Sequence, residues 1–392
     1  MTNVATGVVS GRLVLKDRMA SGRITIEDGW IAEVVIDSEA ETVGPILAPG
    51  FVDIHTHGWG GHDAMGDRRA LDGMARRLLR RGVTSFLPTA VTAPLDELTA
   101  FASRVRAWLP DAPADGAEPL GFNLEGPFLA MSRCGAHDPV HLRAPAGVSS
   151  TALEPIVDGL RVMTIAPELP GATDLISWLR ERGVVPSIGH SDATVEEAQA
   201  GYAAGAMSTT HLFNAMTGVD HRAPGVAVAA LLADDAYVEL IADGLHVHPA
   251  MWALVTRLKP ADRLVLVSDA APIAGTGDGK GWIGRLAVDV VGQRVTLSGT
   301  STLAGSAIAL DTAVRNVVQA GLPLPAAVAA ASRNPLELLG VTDRGTIAVG
   351  QRADLVELDV GLSVRRVMRA GRWIADGTER PSRTGAHGPP VR

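Results

Sequence analysis

Four histidines and two carboxylates carry the chemistry this chain could do. "FVDIHTHG" sets His55 and His57 two residues apart at the end of an apolar run, Glu125 ends "LGFNLE", His190 ends "VVPSIGH", His211 closes "MSTTHLF" and Asp269 ends "RLVLVSD". Imidazoles together with one carboxylate able to bridge suit zinc or a similar divalent ion that keeps a position open for water. Such an ion lowers the pKa of water and polarises a carbonyl oxygen. Hydrolysis of an amide or related bond follows, with Asp269 as the general base that takes the water proton and returns it to the leaving nitrogen. Taken singly, each residue reads more readily as a satisfied core or rim side chain; all six together at strand ends do not. Strand geometry also sends neighbouring side chains to opposite faces, so His55 and His57 are expected to reach one ion only if the strand ends at His55 and the chain turns back.

The elements that must position them alternate. Strands are expected at 51–55, 84–89, 120–125, 162–167, 184–190, 207–213, 237–242 and 263–269, with Ala/Leu/Arg-rich helical stretches such as "RALDGMARRLLRRG" and "ATDLISWLRERG" between many of them. Eight β units in βα alternation predict an α/β fold, a (β/α)8 TIM-like barrel over 50–344, whose carboxyl rim would gather all six side chains. A doubly wound open sheet is the alternative, but no G-x-G-x-x-G follows a first strand. Residues 1–49 and 345–380 read instead as short alternating strands, and neither piece could bury both faces of a sheet alone, so the two termini are expected to build one small β-sandwich domain. The Gly-rich stretch 272–300 reads as an inserted hairpin over the barrel mouth, and 381–392 as a disordered tail.

Composition excludes several classes. The 392 residues are 46% hydrophobic and carry a formal net charge of -8, without a Lys/Arg-rich patch, so nucleic acid is not the expected partner and a small molecule is. No apolar run approaches the ~18 residues of a membrane span, and "MTNVATGVVSGRLVLKDRMA" lacks the apolar core of a signal peptide. Cys134 is the single cysteine, so no intrachain disulfide forms. A cytoplasmic enzyme is the expectation.

These motifs also carry a resemblance. "PGFVDIHTHG" resembles the opening strand of the amidohydrolase superfamily, and "NLEGPFL", "SIGHSDAT", "THLFNAM", "IADGLHV", "LVSDA" and "STLAGS" are together similar to its N-acetylglucosamine-6-phosphate deacetylase family. The resemblance implies hydrolysis of N-acetylglucosamine 6-phosphate to glucosamine 6-phosphate and acetate, in amino-sugar catabolism and cell-wall recycling. It makes Glu125, His190 and His211 the common metal site and Asp269 the catalytic acid/base. Some members lack the first-strand histidines and use one ion; His55 and His57 imply a second, sharing Glu125. It further implies substrate contacts from Ala136 and His137, whose imidazole would orient the acetyl carbonyl, and sugar-phosphate contacts from Asn214, Ala215, Arg222 and His246, with Leu303, Ala304 and Gly305 alongside. A homodimer is implied, with Arg222 or His246 reaching the neighbouring subunit's substrate. Cys134 stands where relatives often carry a basic residue, and reads as a small loop residue. His62, His141, His221 and His248 match no role and read as rim or surface residues.

Rival readings are weaker. Amidohydrolases of the dihydroorotase or hydantoinase type bridge two ions with a carbamylated lysine near strand four, but that strand ends "TIAPE" and Lys16, Lys259 and Lys280 lie far from it. An adenosine-deaminase-like enzyme needs its own acid motif after strand five, where this chain has "GHSDAT". A catalytically silent sugar-phosphate binder would have lost a ligand or the acid/base, and all are intact.

Overall fold

The computed structural model describes residues 7–37 and 44–376; the expected tail at 381–392 lies outside them. Eight parallel strands form the central sheet: β1 Phe51–Thr56, β2 Val83–Ala90, β3 Phe122–Glu125, β4 Leu160–Ile165, β5 Val185–Ile188, β6 Ser208–Thr209, β7 Tyr237–Ile241 and β8 Leu264–Val267. Each pairs with its neighbour in order. Asp269 N donates to His55 O at 2.9 Å, and Ser268 N to the Asp53 carboxylate at 3.2 Å, so the eighth strand meets the first just beyond its end. The barrel is thereby nearly closed. A helix follows every strand, from Arg68–Leu79 after β1 to Leu310–Gln319 after β8. The strands are apolar on both faces because helices cover one and the barrel interior fills the other. Phe86, Phe101, Trp108 and Phe122 are fully or almost fully buried between β2, β3 and the helix Leu95–Trp108, with Phe101 meeting Phe122 edge to face.

Sequence and structure differ in two places. The stretch after β8 is a three-stranded antiparallel meander, Gly279–Ile283, Leu286–Val291 and Arg294–Leu297, where a hairpin was expected. Val295 is the reason: it packs with Ile283, Val288 and Val290 in one buried cluster that two strands would leave open. Strands five and eight also end two residues sooner than expected, at Ile188 and Val267, and strand six four residues sooner, at Thr209. His190, His211 and Asp269 lie just past them.

Both ends of the described chain enter a second, seven-stranded sheet. Its order is Arg372–Asp376, Val364–Arg369, Leu355–Leu358, Ile46–Pro49, Gly7–Val14, Met19–Glu27, Trp30–Ile36, antiparallel except where Gly7–Val14 meets Ile46–Pro49. Glu118, beside β2, ties the barrel to the segments that lead into and through this sheet. Its carboxylate takes Arg352 at 2.5 Å, Arg344 at 3.1 Å and Arg369 at 3.4 Å. No helix of the described residues is long and apolar enough to cross a membrane.

Removing the Glu118 charge leaves three guanidinium groups crowded together, the buried Arg344 among them, with Asp343 and Asp354 as the remaining partners of Arg344 and Arg352. We expect Glu118→Gln to lower the unfolding free energy by about 1–3 kcal/mol, measured by urea denaturation; an unchanged midpoint would show that the cluster contributes nothing.

Candidate metal-dependent active site

Glu125, at the end of β3, lies at the centre of the barrel mouth with two oxygens facing two groups of imidazoles. Its Oε1 lies 2.9 Å from His190 Nε2 and 2.8 Å from His211 Nε2, which are themselves 3.1 Å apart. Its Oε2 lies 3.0 Å from His57 Nε2, 3.5 Å from His55 Nε2 and 3.1 Å from His137 Nε2. Asp269 Oδ1 stands 3.2 Å from His57 Nε2 and 3.7 Å from His55 Nε2. All seven side chains are buried.

The chain reaches this geometry by bending sharply where strands end. His190, His211 and Asp269 have φ of 48°, 30° and 47°, a left-handed conformation in which His and Asp are over-represented among non-glycine residues. Such backbones persist only where neighbours hold them. Here Ala130 N donates to His190 O at 2.9 Å, Asn214 N to His211 O at 3.0 Å and Ser306 N to Asp269 O at 2.7 Å. His55 and His57 need no such bend. β1 runs on to Thr56, and residues two apart on a strand share a face, so both imidazoles point into the mouth; the expected strand end at His55 and the turn back are corrected accordingly.

Hydrogen bonds at the far ring nitrogens fix which nitrogen faces Glu125. His55 Nδ1 donates to the Glu239 carboxylate at 3.0 Å, His57 Nδ1 to Thr89 O at 3.2 Å and His190 Nδ1 to Arg133 O at 2.7 Å. Each neutral ring therefore aims a lone pair at a carboxylate oxygen that is also an acceptor. Acceptors packed near 3 Å without hydrogens between them repel, and a cation removes the repulsion. Without a metal, protons take its place. Burial alone would push His57 down, but Asp269 and Glu125 raise it to about 9; burial likewise opposes His55, which Glu125 and Glu239 hold well above the usual imidazole range. Glu125, despite its burial, sits well below the usual carboxylate range because the histidines surround it. The nitrogen and oxygen donors suit a divalent ion, with second partners of the kind that orient metal-bound histidines.

His137 is different. Thr92 N donates to its Nδ1 at 3.1 Å, so the proton sits on Nε2 and points into the site. Burial pushes His137 down to about 4, so the ring is neutral and donates one hydrogen.

A cavity of about 350 Å3 opens over these groups. Of the residues expected to contact substrate, Ala136, His137, Asn214, Ala215, His246, Leu303 and Gly305 line it. Ala304 is buried beneath, and Arg222 is exposed and outside the cavity. Ile283 of the meander and Thr302 beyond it complete one wall, and Arg133, paired with Asp192 at 2.8 Å, another. Cys134 is a half-buried thiol whose carbonyl accepts from His137 N at 3.0 Å; it does not line the cavity. Glu239 and Thr92, which fix His55 and His137, escaped the sequence reading. The signal for Glu239 was a single charge within the apolar strand "YVELIA".

Comparison with known proteins agrees with this architecture. The amidohydrolase family model matches residues 46–374. An N-acetylglucosamine-6-phosphate deacetylase from Bos taurus is 39% identical over 363 residues, covering 87% of this chain and 86% of its own length. An N-acetylgalactosamine-6-phosphate deacetylase from Escherichia coli O157:H7 is 37% identical, covering 94% of this chain and 99% of its own. The crystal structure of N-acetylglucosamine-6-phosphate deacetylase from Thermotoga maritima superposes with a TM-score of 0.88 at 35% identity, covering 94% of this chain and 100% of that one. The chain belongs to the amidohydrolase family.

A neutral imidazole is what a metal ion binds, so below pH 9 ion binding must expel the His57 proton. Zinc affinity of the chelator-stripped protein should therefore rise with pH toward about 9 and level off above it. Calorimetric titrations in buffers of different ionisation enthalpy would show proton release; a pH-independent affinity would contradict it.

Proposed function

We propose that this chain hydrolyses the acetamide of N-acetylglucosamine 6-phosphate, giving glucosamine 6-phosphate and acetate. The observation that carries the reading is the shared Glu125 carboxylate, ringed by His55, His57, His190 and His211, with a separate carboxylate at Asp269 and a lone N–H donor at His137. Glu125, His190 and His211 would hold one ion, and His55 and His57 a second sharing Glu125; zinc fits the donor set best. When bound, the metal supplies Lewis acidity and a water of lowered pKa.

The residues of the chain do the rest. In the metal-free chain the hydrogen bond from His57 and the charge of His55 hold the Asp269 carboxyl at about 2 despite its burial, so it is ionised at neutral pH; ion binding, which expels the His57 proton, removes that hydrogen bond and leaves the carboxylate able to accept a proton. It takes that proton from the water as the oxygen attacks the acetyl carbon, and hands it to the sugar nitrogen as the C–N bond breaks. His137 Nε2–H donates to the acetyl oxygen, whose negative charge grows in the transition state, so the bond is worth more there than in the ground state. Asn214, Ala215, His246, Leu303 and Gly305 enclose the sugar. For the phosphate we favour Arg222, whose planar fork suits it, reaching across a homodimer. Its exposure outside its own chain's cavity, close to the exposed Val219, fits that arrangement. Cytoplasmic location follows from the substrate.

The E. coli relative names the galactosamine epimer, so a substrate panel should include both sugars and N-acetylmannosamine 6-phosphate. Metal-replete protein should release acetate from N-acetylglucosamine 6-phosphate, and Asp269→Asn should lower turnover by roughly 10²–10⁴-fold with metal content near that of the parent. No acetate from metal-replete protein, or full turnover in the variant, would refute the assignment. His137→Gln should lower kcat by roughly 10²–10³-fold, and steady-state kinetics would place the loss mainly in kcat rather than KM.

A further inference from the structure

We propose that Glu239 is the positioning residue that equips the His55/His57 half of the site to hold a second ion. The inference rests on the metal-dependent reading above. Glu239 lies in the middle of β7, fully buried, with its side chain inside the barrel. No arginine or lysine neutralises it among the described ion pairs. Its Oε2 accepts from His55 Nδ1 at 3.0 Å and from His211 N at 3.2 Å, while its Oε1 has no hydrogen-bond partner. A buried carboxylate left in that state is costly unless positive charge stands close by.

The site supplies that charge unevenly. His57 and His190 lean on backbone carbonyls and His211 Nδ1 has no hydrogen-bond partner, so His55 alone among the four imidazoles leans on a full negative charge. A carboxylate at Nδ1 fixes the tautomer and raises the basicity of Nε2, which here faces Glu125 Oε2 and Asp269 Oδ1. Toward the other half, Glu239 gives only a support for the backbone at His211. Glu239 thus favours the ion held by His55 and His57, while the ion at His190 and His211 depends on it less.

The test is a zinc titration of the chelator-stripped full chain by calorimetry, with Glu239→Gln, which preserves size and can keep both acceptor contacts, beside Glu239→Met, which removes them. Thermal melting of the metal-free proteins checks that each variant folds; if the Met variant does not, the Gln variant carries the test. The parent should bind two ions. Glu239→Gln should bind the weaker one roughly 10–100-fold less tightly and the other nearly unchanged, and a cobalt-substituted sample should lose one of two absorption signatures. In a His55→Gln background, Glu239→Gln should have no further effect on metal affinity. Two ions held by folded variants with the parent's affinities, equal weakening of both ions, or a single ion in the parent would overturn the proposal. A parent chain that binds no metal would instead overturn the metal-dependent reading itself.

Discussion

Everything at the barrel mouth depends on one carboxylate with two faces. Glu125 offers one oxygen to His190 and His211 and the other to His55, His57 and His137, and these rings arrive from the ends of three strands and from one loop. A single buried negative charge could not hold five imidazoles by itself. A carboxylate and two carbonyls set the tautomers of His55, His57 and His190, and an amide sets that of His137, so that lone pairs or protons and one fixed N–H converge on it. This makes the arrangement selective: a cation stabilises it, and an apolar or anionic occupant would be repelled.

Much of this was legible in the sequence because parallel barrel strands are buried on both faces and read as continuous apolar runs. Phe51–Thr56 and Val83–Ala90 are of that kind, entirely buried. Even β6, only two residues long, was found, because Ser208–Thr209 lies within the strand-like stretch "MSTTHLF". Residue type at strand ends identified His190, His211 and Asp269 although the ends themselves were placed too late. Those errors share a physical cause. A left-handed φ at a histidine or aspartate leaves no mark on hydrophobic patterning, so a strand and the bend that follows it look like one element.

The parts that stayed hidden are mostly backbone. Thr89 O, Arg133 O and Thr92 N decide which nitrogen of His57, His190 and His137 faces the site, and a carbonyl or amide has no sequence signature. Arg222 illustrates a different limit: its motif was readable, but its place on the surface of its own chain was not. The direction of His57 was misjudged for a third reason, the assumption that a pair two residues apart diverges, when the pleat puts both on one side.

The bond from Asp269 N to His55 O helps bring the barrel nearly to closure. One residue lies on the first strand and the other just past the last, and they are also a proposed metal ligand and the proposed general base. A chain part-way through synthesis, or one whose eighth strand has peeled away, therefore possesses neither a shut barrel nor a working set of groups. Completion of the fold and onset of chemistry coincide at a single seam, so partly made molecules are silent by construction rather than merely less active.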